Sequence, residues 1–384
     1  MGMKPKQGSN RAIFEEVATT DKAPAAQPGA IDRGRRDARG AIRVWLMVLF
    51  ALVAIIIAVG GMTRLTDSGL SITEWAPISG ALPPMTAQEW QSEFDLYRQT
   101  YEYQNQNAGM SMGEFQYIYW WEWGHRQLGR LIGVVWAVGF VAFWATGRIP
   151  RSWTLPLFGI GAMIGVQGAI GWWMVHSGLQ EGMFDVASYR LATHLGVAFA
   201  ILGTIAWFIF KLGRKETDLL QARRAGERRL FSGSTGLMHL TFVQILLGAL
   251  VAGIDAGRAF PTWPLMGDGF LPPDPFQITP VWRNFFEDAG LVQFIHRMTG
   301  YLVFVLGIVV WLRARKSPNG QTRLAFNAVI AVLSLQIVLG IVTVLYSAPL
   351  ELAILHQIGA VILWALVLRG RFLARYPLAQ SVRG

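Results

Sequence analysis

The 384-residue chain has no cysteine. That excludes disulfides, thiolate metal sites, iron–sulfur clusters and covalent c-type heme attachment, leaving histidine and carboxylate as the strong metal ligands. Charge is also scarce. Only 15% of residues are charged and 53% are hydrophobic, whereas a soluble domain carries close to a quarter charged residues. The composition is that of a polytopic membrane protein. The net charge of +10 is not gathered on one domain but spread over short segments between apolar runs, which reads as membrane topology and not as nucleic-acid binding.

Eight apolar runs follow one another, at 42–63, 120–146, 153–175, 190–212, 234–254, 291–313, 323–346 and 351–369, each of spanning length. The segments between them alternate in character. Arg33 to Arg43, Arg148 with Arg151, Lys211 to Arg229, Arg313 to Arg323 and Arg369 to Arg375 are basic; 64–119, 176–189, 255–290 and 347–350 are neutral to acidic. An excess of Lys and Arg marks the cytoplasmic side, so both termini are expected in the cytoplasm and the protein in the inner (cytoplasmic) membrane. Residues 1–41 are polar and aperiodic, the composition of a disordered tail. A cleaved signal peptide is not expected, because the first apolar run starts late and is too long. Glu15, Glu16 and Asp21 disfavour a mitochondrial transit peptide. Phe94 to Gln106, polar and aromatic, suits a short amphipathic helix at the membrane surface.

The chain also repeats itself. Glu122, His125, Arg126 and Gly129 recur as Gln293, His296, Arg297 and Gly300 at the same offsets. Gln167 and Gly171 recur as Gln336 and Gly340, 42 and 40 residues after the respective histidines. Asp67-Ser-Gly69 stands before Trp75 as Asp255-Ala-Gly257 stands before Trp263. His194 and His356 lie in the last span of each half. Four spans per unit give both halves one orientation, related by a pseudo-two-fold axis along the membrane normal. The expected fold is all-α: two tandem four-helix bundles, 42–212 and 234–369, joined by a basic cytoplasmic linker over 213–233 and followed by a cytoplasmic tail, 370–384.

His125, His194, His296 and His356 each fall about five residues inside the end of a span, roughly 8 Å deep on the outer side. Two histidines facing each other across a bundle can ligate heme iron. A single membrane histidine is more often a hydrogen-bond partner between helices, but matched depth in both halves favours ligands. Arg126 and Arg297 could clamp heme propionates or snorkel to headgroups. Glu122, with Gln293 as its counterpart, marks one half as reactive and the other as a relay; otherwise it is an interfacial acid paired with Arg126. Gln167, Gln336, Gly171 and Gly340 read as packing and hydrogen-bond positions. His176 and His239 fall outside the repeat and are expected to have no direct part.

Over nearly all of residues 42–369 the chain resembles the heme A synthase family. The resemblance is carried by Gly60-Gly-Met-Thr-Arg-Leu-Thr-Asp-Ser-Gly-Leu-Ser71 with Trp75, by Glu122, His125 and Arg126, by Gln167-Gly-Ala-Ile-Gly-Trp-Trp-Met-Val175, by His296-Arg297 and by His356-Gln357. Members oxidise a ring methyl of heme O to a formyl group, giving heme A for terminal oxidases. The resemblance implies heme b between His296 and His356, the heme O substrate between His125 and His194, and a catalytic role for Glu122. It also implies heme O synthase and terminal oxidase assembly factors as partners, in membrane lipid. The electron donor or acceptor and any homo-oligomer stay undefined. Some members carry a cysteine pair in the outer loops, and thiol chemistry proposed for those does not transfer here. Two alternatives stay open: a di-heme cytochrome b that only moves electrons, and, less favoured, a transporter.

Reporter fusions test the topology. Lys215 and Lys316 should report cytoplasmic and Glu93 and Asp268 external; a cytoplasmic signal from Glu93 would overturn the eight-span arrangement.

Overall fold

The computed structural model describes Gly2, residues 30–150 and residues 152–378, with the backbone alone over 30–37. Its helices are α1 (Ala30–Leu65), α2 (Ala87–Tyr97), α3 (Tyr101–Asn105), α4 (Met112–Ala145), α5 (Thr154–Gly178), α6 (Ser188–Leu212), α7 (Glu216–Arg224), α8 (Arg228–Gly253), α9 (Asn284–Glu287), α10 (Ala289–Ala314), α11 (Gly320–Leu345) and α12 (Leu350–Arg375). No strand forms among the described residues. Eight helices, namely α1, α4, α5, α6, α8, α10, α11 and α12, are long and apolar enough to cross a bilayer, and they coincide with the eight apolar runs. Helices are what such runs must form, since hydrocarbon offers a backbone polar group no partner but its own segment. The tail expected to be disordered over 1–41 lies outside the described residues as far as residue 29, Gly2 apart; from Ala30 the chain is helical and continuous with α1.

Within each half the spans touch in a ring. α1 packs on α4, α4 on α5, α5 on α6 and α6 back on α1; α8, α10, α11 and α12 close in the same order. The rings meet where α6 packs on α8 and α12 and where α1 packs on α12. These contacts pair up as a two-fold would pair them, since α1 corresponds to α8 and α6 to α12. One apolar core runs through the junction, joining Leu49, Val53, Leu202 and Ile205 to Ile245, Val361, Trp364 and Leu368. Polar contacts also join the halves here: Trp364 Nε1 donates to Phe199 O at 3.0 Å and Gln357 Nε2 to Ile57 O at 2.6 Å.

Helix α4 starts eight residues before its apolar run because Ser111 and Glu114 form a capping box, each satisfying the other's backbone N–H. A second box, Thr86 with Glu89, starts α2. The surface helix expected over 94–106 is thus two pieces, α2 and α3. Phe94, Tyr97, Tyr103, Phe115, Ile118 and Tyr119 bury one another there, forming a small lid domain on the long-loop end of the first ring. The second ring has no equivalent of α2 and α3.

Candidate functional site

The four repeated histidines come together as two pairs, one per ring. His125 on α4 and His194 on α6 have ring centroids 6.4 Å apart, with planes at 78°. His296 on α10 and His356 on α12 lie within electrostatic range of each other. Every one of these rings abuts a glycine on the preceding span. A Cβ built at Gly60 would stand 3.0 Å from His125 Nε2; one at Gly171, 3.0 Å from His194 Cε1; at Gly248, 3.2 Å from His296 Cε1; at Gly340, 3.2 Å from His356 Cε1. Gly171 and Gly340 are legible in the sequence repeat. Gly60 and Gly248 are the matching positions of α1 and α8, and the spacing from Asp67 and Asp255 could have found them.

Glutamines complete the histidine surroundings, though not symmetrically. Gln167 Nε2 lies 3.2 Å from His194 Nδ1 and donates to His194 O at 3.0 Å. Its counterpart Gln336 packs on Gly359 instead, with Nε2 buried and unpartnered. His296 is served by Gln244, 3.1 Å from Nδ1 and donating to His296 O at 3.0 Å; sequence reading missed Gln244 because it has no repeat partner, Ile56 being its equivalent. His356 Nδ1 is buried without a partner. His176 stacks on Trp172 and His239 is exposed on α8, so neither joins a pair.

Glu122 is 3% exposed, one turn before His125. Four donors converge on its carboxylate: Ser71 Oγ and Ile72 N–H on Oε2, both at 2.8 Å, and Arg126 Nη2 and Nε on Oε1 at 2.6 and 3.1 Å. Arg126 also donates to Ile72 O and Glu74 O. Gln127 donates to Ala81 O, and Arg130 to Pro77 O and Ala76 O. The face of α4 beside His125 therefore rivets the loop after α1 across the mouth of the first ring. In the second ring Arg297 donates to Phe260 O, Leu265 O and Gln293 Oε1. Its Nε is buried without a partner, where Arg126 has a carboxylate. Each arginine thus gives two hydrogen bonds to its own loop and further ones to the residue one turn before it on its helix.

Among the described residues no group of three or more His, Asp or Glu could hold a metal ion.

Fold and site together define an integral membrane protein of two histidine-paired four-helix rings, one with a buried acid beside its pair. The chain belongs to the COX15-CtaA family of cytochrome oxidase assembly proteins, whose model matches residues 43–368. It is 62% identical to the heme A synthase of Ruegeria sp. (strain TM1040) over 379 residues, 98% of this chain and 100% of that protein. The heme A synthase of Dinoroseobacter shibae is 64% identical over 97% of this chain and 98% of its own length, and that of Paracoccus denitrificans 60% over 98% and 99%.

The buried ion pair makes a prediction about stability. Arg126→Met leaves the Glu122 carboxylate buried without its cation, at a cost of about 3–5 kcal/mol. Arg126→Met with Glu122→Gln removes both charges and should recover a large part of that loss. Thermal unfolding of the purified variants in detergent checks this; equal destabilisation of single and double variants would contradict it.

Proposed function

We propose that this chain oxidises the methyl group of heme O to a formyl group, producing heme A. The observation that carries this reading is the difference between two otherwise matched sites: a buried carboxylate, Glu122, beside one histidine pair, and a neutral amide, Gln293, beside the other. A protein that only relayed electrons would have no use for that difference. The full-length likeness to heme A synthases at about 60% identity supports the same substrate.

In this reading the first ring takes heme O between His125 and His194, and the second holds heme b between His296 and His356. The donor sets fit. With metal–imidazole bonds of about 2.0 Å, and about 1.1 Å from ring nitrogen to centroid, two imidazoles on one ion have centroids about 6 Å apart. The His125–His194 separation of 6.4 Å is of that size. The glycines opposite each ring leave a flat macrocycle room to approach, and the free His356 Nδ1 leaves that imidazole without a competing protein partner. Heme b supplies one-electron redox chemistry when bound. The protein contributes position and field. His125 and His194 fix the substrate, and the riveted loop over 72–81 shields it from water. The Glu122 carboxylate, already aligned by four donors, stabilises positive charge developing at the methyl carbon or accepts its proton. Two successive two-electron hydroxylations, each needing an oxidant and an oxygen atom from outside the protein, would take the methyl to a hydrated aldehyde, which loses water to the formyl group.

Arg126 and Arg297 are placed to meet propionates with the N–H groups their loops leave free. The eight spans make this a multi-pass membrane protein, in our reading of the cytoplasmic membrane with both termini inside. Heme O synthase as supplier, and terminal oxidase assembly factors as receivers, follow from the chemistry of substrate and product.

His296→Ala or His356→Ala should abolish a low-spin heme b spectrum in the purified protein, because the iron loses an axial imidazole; an unchanged reduced spectrum in both variants at normal protein levels would refute the assignment. Glu122→Gln copies the second ring and should keep folding and heme binding. Heme A formed per enzyme, in cells that supply heme O, should fall by about a hundredfold, with heme O or its hydroxymethyl form retained on the protein. Near-normal formation would leave Glu122 a structural partner of Arg126.

A further inference from the structure

The loop that crosses the mouth of the first ring does not stop there. Its carbonyls meet successive turns of α4 in order. Ile72 O and Glu74 O accept from Arg126 at 2.7 and 3.0 Å, and Ala76 O and Pro77 O from Arg130 at 2.9 Å each. A single 3₁₀ turn over Ser79–Ala81 follows, where a Cβ at Gly80 would stand 3.1 Å from Arg130 Nη2. Ala81 O then accepts from Gln127, nearly one turn back up the helix. Because α4 runs from the long-loop end toward the basic end, the chain descends beside it, turns near Arg130 and climbs out.

The descent is on the lipid side. At about 100° per residue, Arg126, Gln127 and Arg130 project about 100°, 200° and 140° from His125. Val134, Val138 and Val141 project at about 160–220° and are 57%, 65% and 55% exposed, the stripe that α4 turns to the bilayer. The loop thus lies outside the ring. Arg130 stands fifteen residues before the end of α4, about 22 Å above it, inside a hydrocarbon layer of about 30 Å. Its side chain leans back toward the helix start, which puts the turn near the upper edge of the hydrocarbon.

What the loop carries fits that place. Between Glu74 and Glu89 the sequence has no charged residue. Ile78, Leu82 and Met85 are 86%, 76% and 76% exposed, and no other part of the described chain covers them. Pro77, Pro83 and Pro84 bring no N–H to satisfy. In hydrocarbon a carbonyl must find its donor within the protein; Arg130 and Gln127 supply donors from the lipid face of α4, and Arg130 gives its guanidinium to two carbonyls. The second half is built otherwise. Tyr301 stands in place of Arg130 and accepts from the Trp263 side chain at 2.7 Å, and the loop there carries Asp268 and Asp274. We propose that residues 75–85 form a re-entrant strap immersed in the lipid acyl chains of the long-loop leaflet, with Ile78 deepest. The loop that caps Glu122 is thereby anchored in lipid on its far side. The immersion holds whatever molecule the first ring takes.

The lack of cysteine makes single-cysteine variants of the full-length protein direct probes. Ile78→Cys, Leu82→Cys, the lipid-facing Val138→Cys and the exposed lid variant Gln106→Cys are spin-labelled in vesicles of phosphatidylcholine and phosphatidylglycerol. Collision with oxygen, which concentrates among acyl chains, is compared with collision with a water-soluble nickel chelate. Labels replacing Ile78 and Leu82 should show the high oxygen-to-nickel ratio of the Val138 label, several-fold above that of the Gln106 label. A ratio equal to that of the Gln106 label would overturn the immersion. So would low access to both reagents, which marks contact with a second copy of the chain. Arg130→Met then removes the donors to Ala76 O and Pro77 O. It should lower the ratio of the Ile78 label toward that of the Gln106 label and leave the Val138 label unchanged; an unchanged Ile78 label would overturn the fastening. If Arg130→Met fails to accumulate, Gln127→Leu, which frees Ala81 O, is judged by the same readings.

Discussion

Each of the four paired imidazoles owes its place to a glycine one helix away. A histidine in a membrane span needs room for its ring and a reason to point inward; the absent side chains of Gly60, Gly171, Gly248 and Gly340 supply the room, and helix contact supplies the direction. The rule is simple: the ring on an even-numbered span of each half meets a glycine on the odd-numbered span before it. Because spans of one half close in a ring, this brings two imidazoles toward one another inside each half. A Cβ at Gly60 would meet His125 Nε2 at 3.0 Å, so even alanine there would press on the ring.

Much of this is visible in the linear chain. The eight runs, their alternating basic and neutral connections and the repeated His-Arg step give the span count and the pairing of histidines. What escaped sequence reading has physical causes. The lid domain was half seen because its starts are written in capping boxes, Thr86/Glu89 and Ser111/Glu114, and not in hydropathy. Gln244 was invisible because it breaks the repeat. The fourfold hydrogen bonding of Glu122 depends on Ser71 and the Ile72 N–H, some fifty residues upstream in a loop without apolar periodicity. A backbone donor leaves no mark on a sequence at all.

The two halves share a frame and differ in how they close it. The first is roofed by a compact aromatic lid and by Arg126, Gln127 and Arg130, all bonded to the loop after α1. The second is covered by the loop between α8 and α10, which Arg297 and Asn284 fasten, and its Arg297 keeps an unpartnered Nε. A site that admits a substrate and returns a product must also exclude water while it works. The half with the acid has the more elaborate cover, and the cover is fastened to the same helix that carries Glu122 and His125.

Arg64 gives the arrangement a history. It binds Asp67 of its own half and Asp255 of the other, both at 2.8 Å, and lies 3.5 Å from Asp185. Asp67 and Asp255 are equivalent positions, and Ala252 stands where a second Arg64 would be. In a dimer of identical subunits every residue near the two-fold axis appears twice. A symmetric ancestor would have had to crowd two guanidinium groups into this space, or none. One cation clasping two equivalent acids is closed to a dimer of identical subunits and open to a chain whose halves differ. The unlike halves of one chain thus let Arg64 hold its own Asp67 and the other half's Asp255 at once, tying the two equivalent turns together.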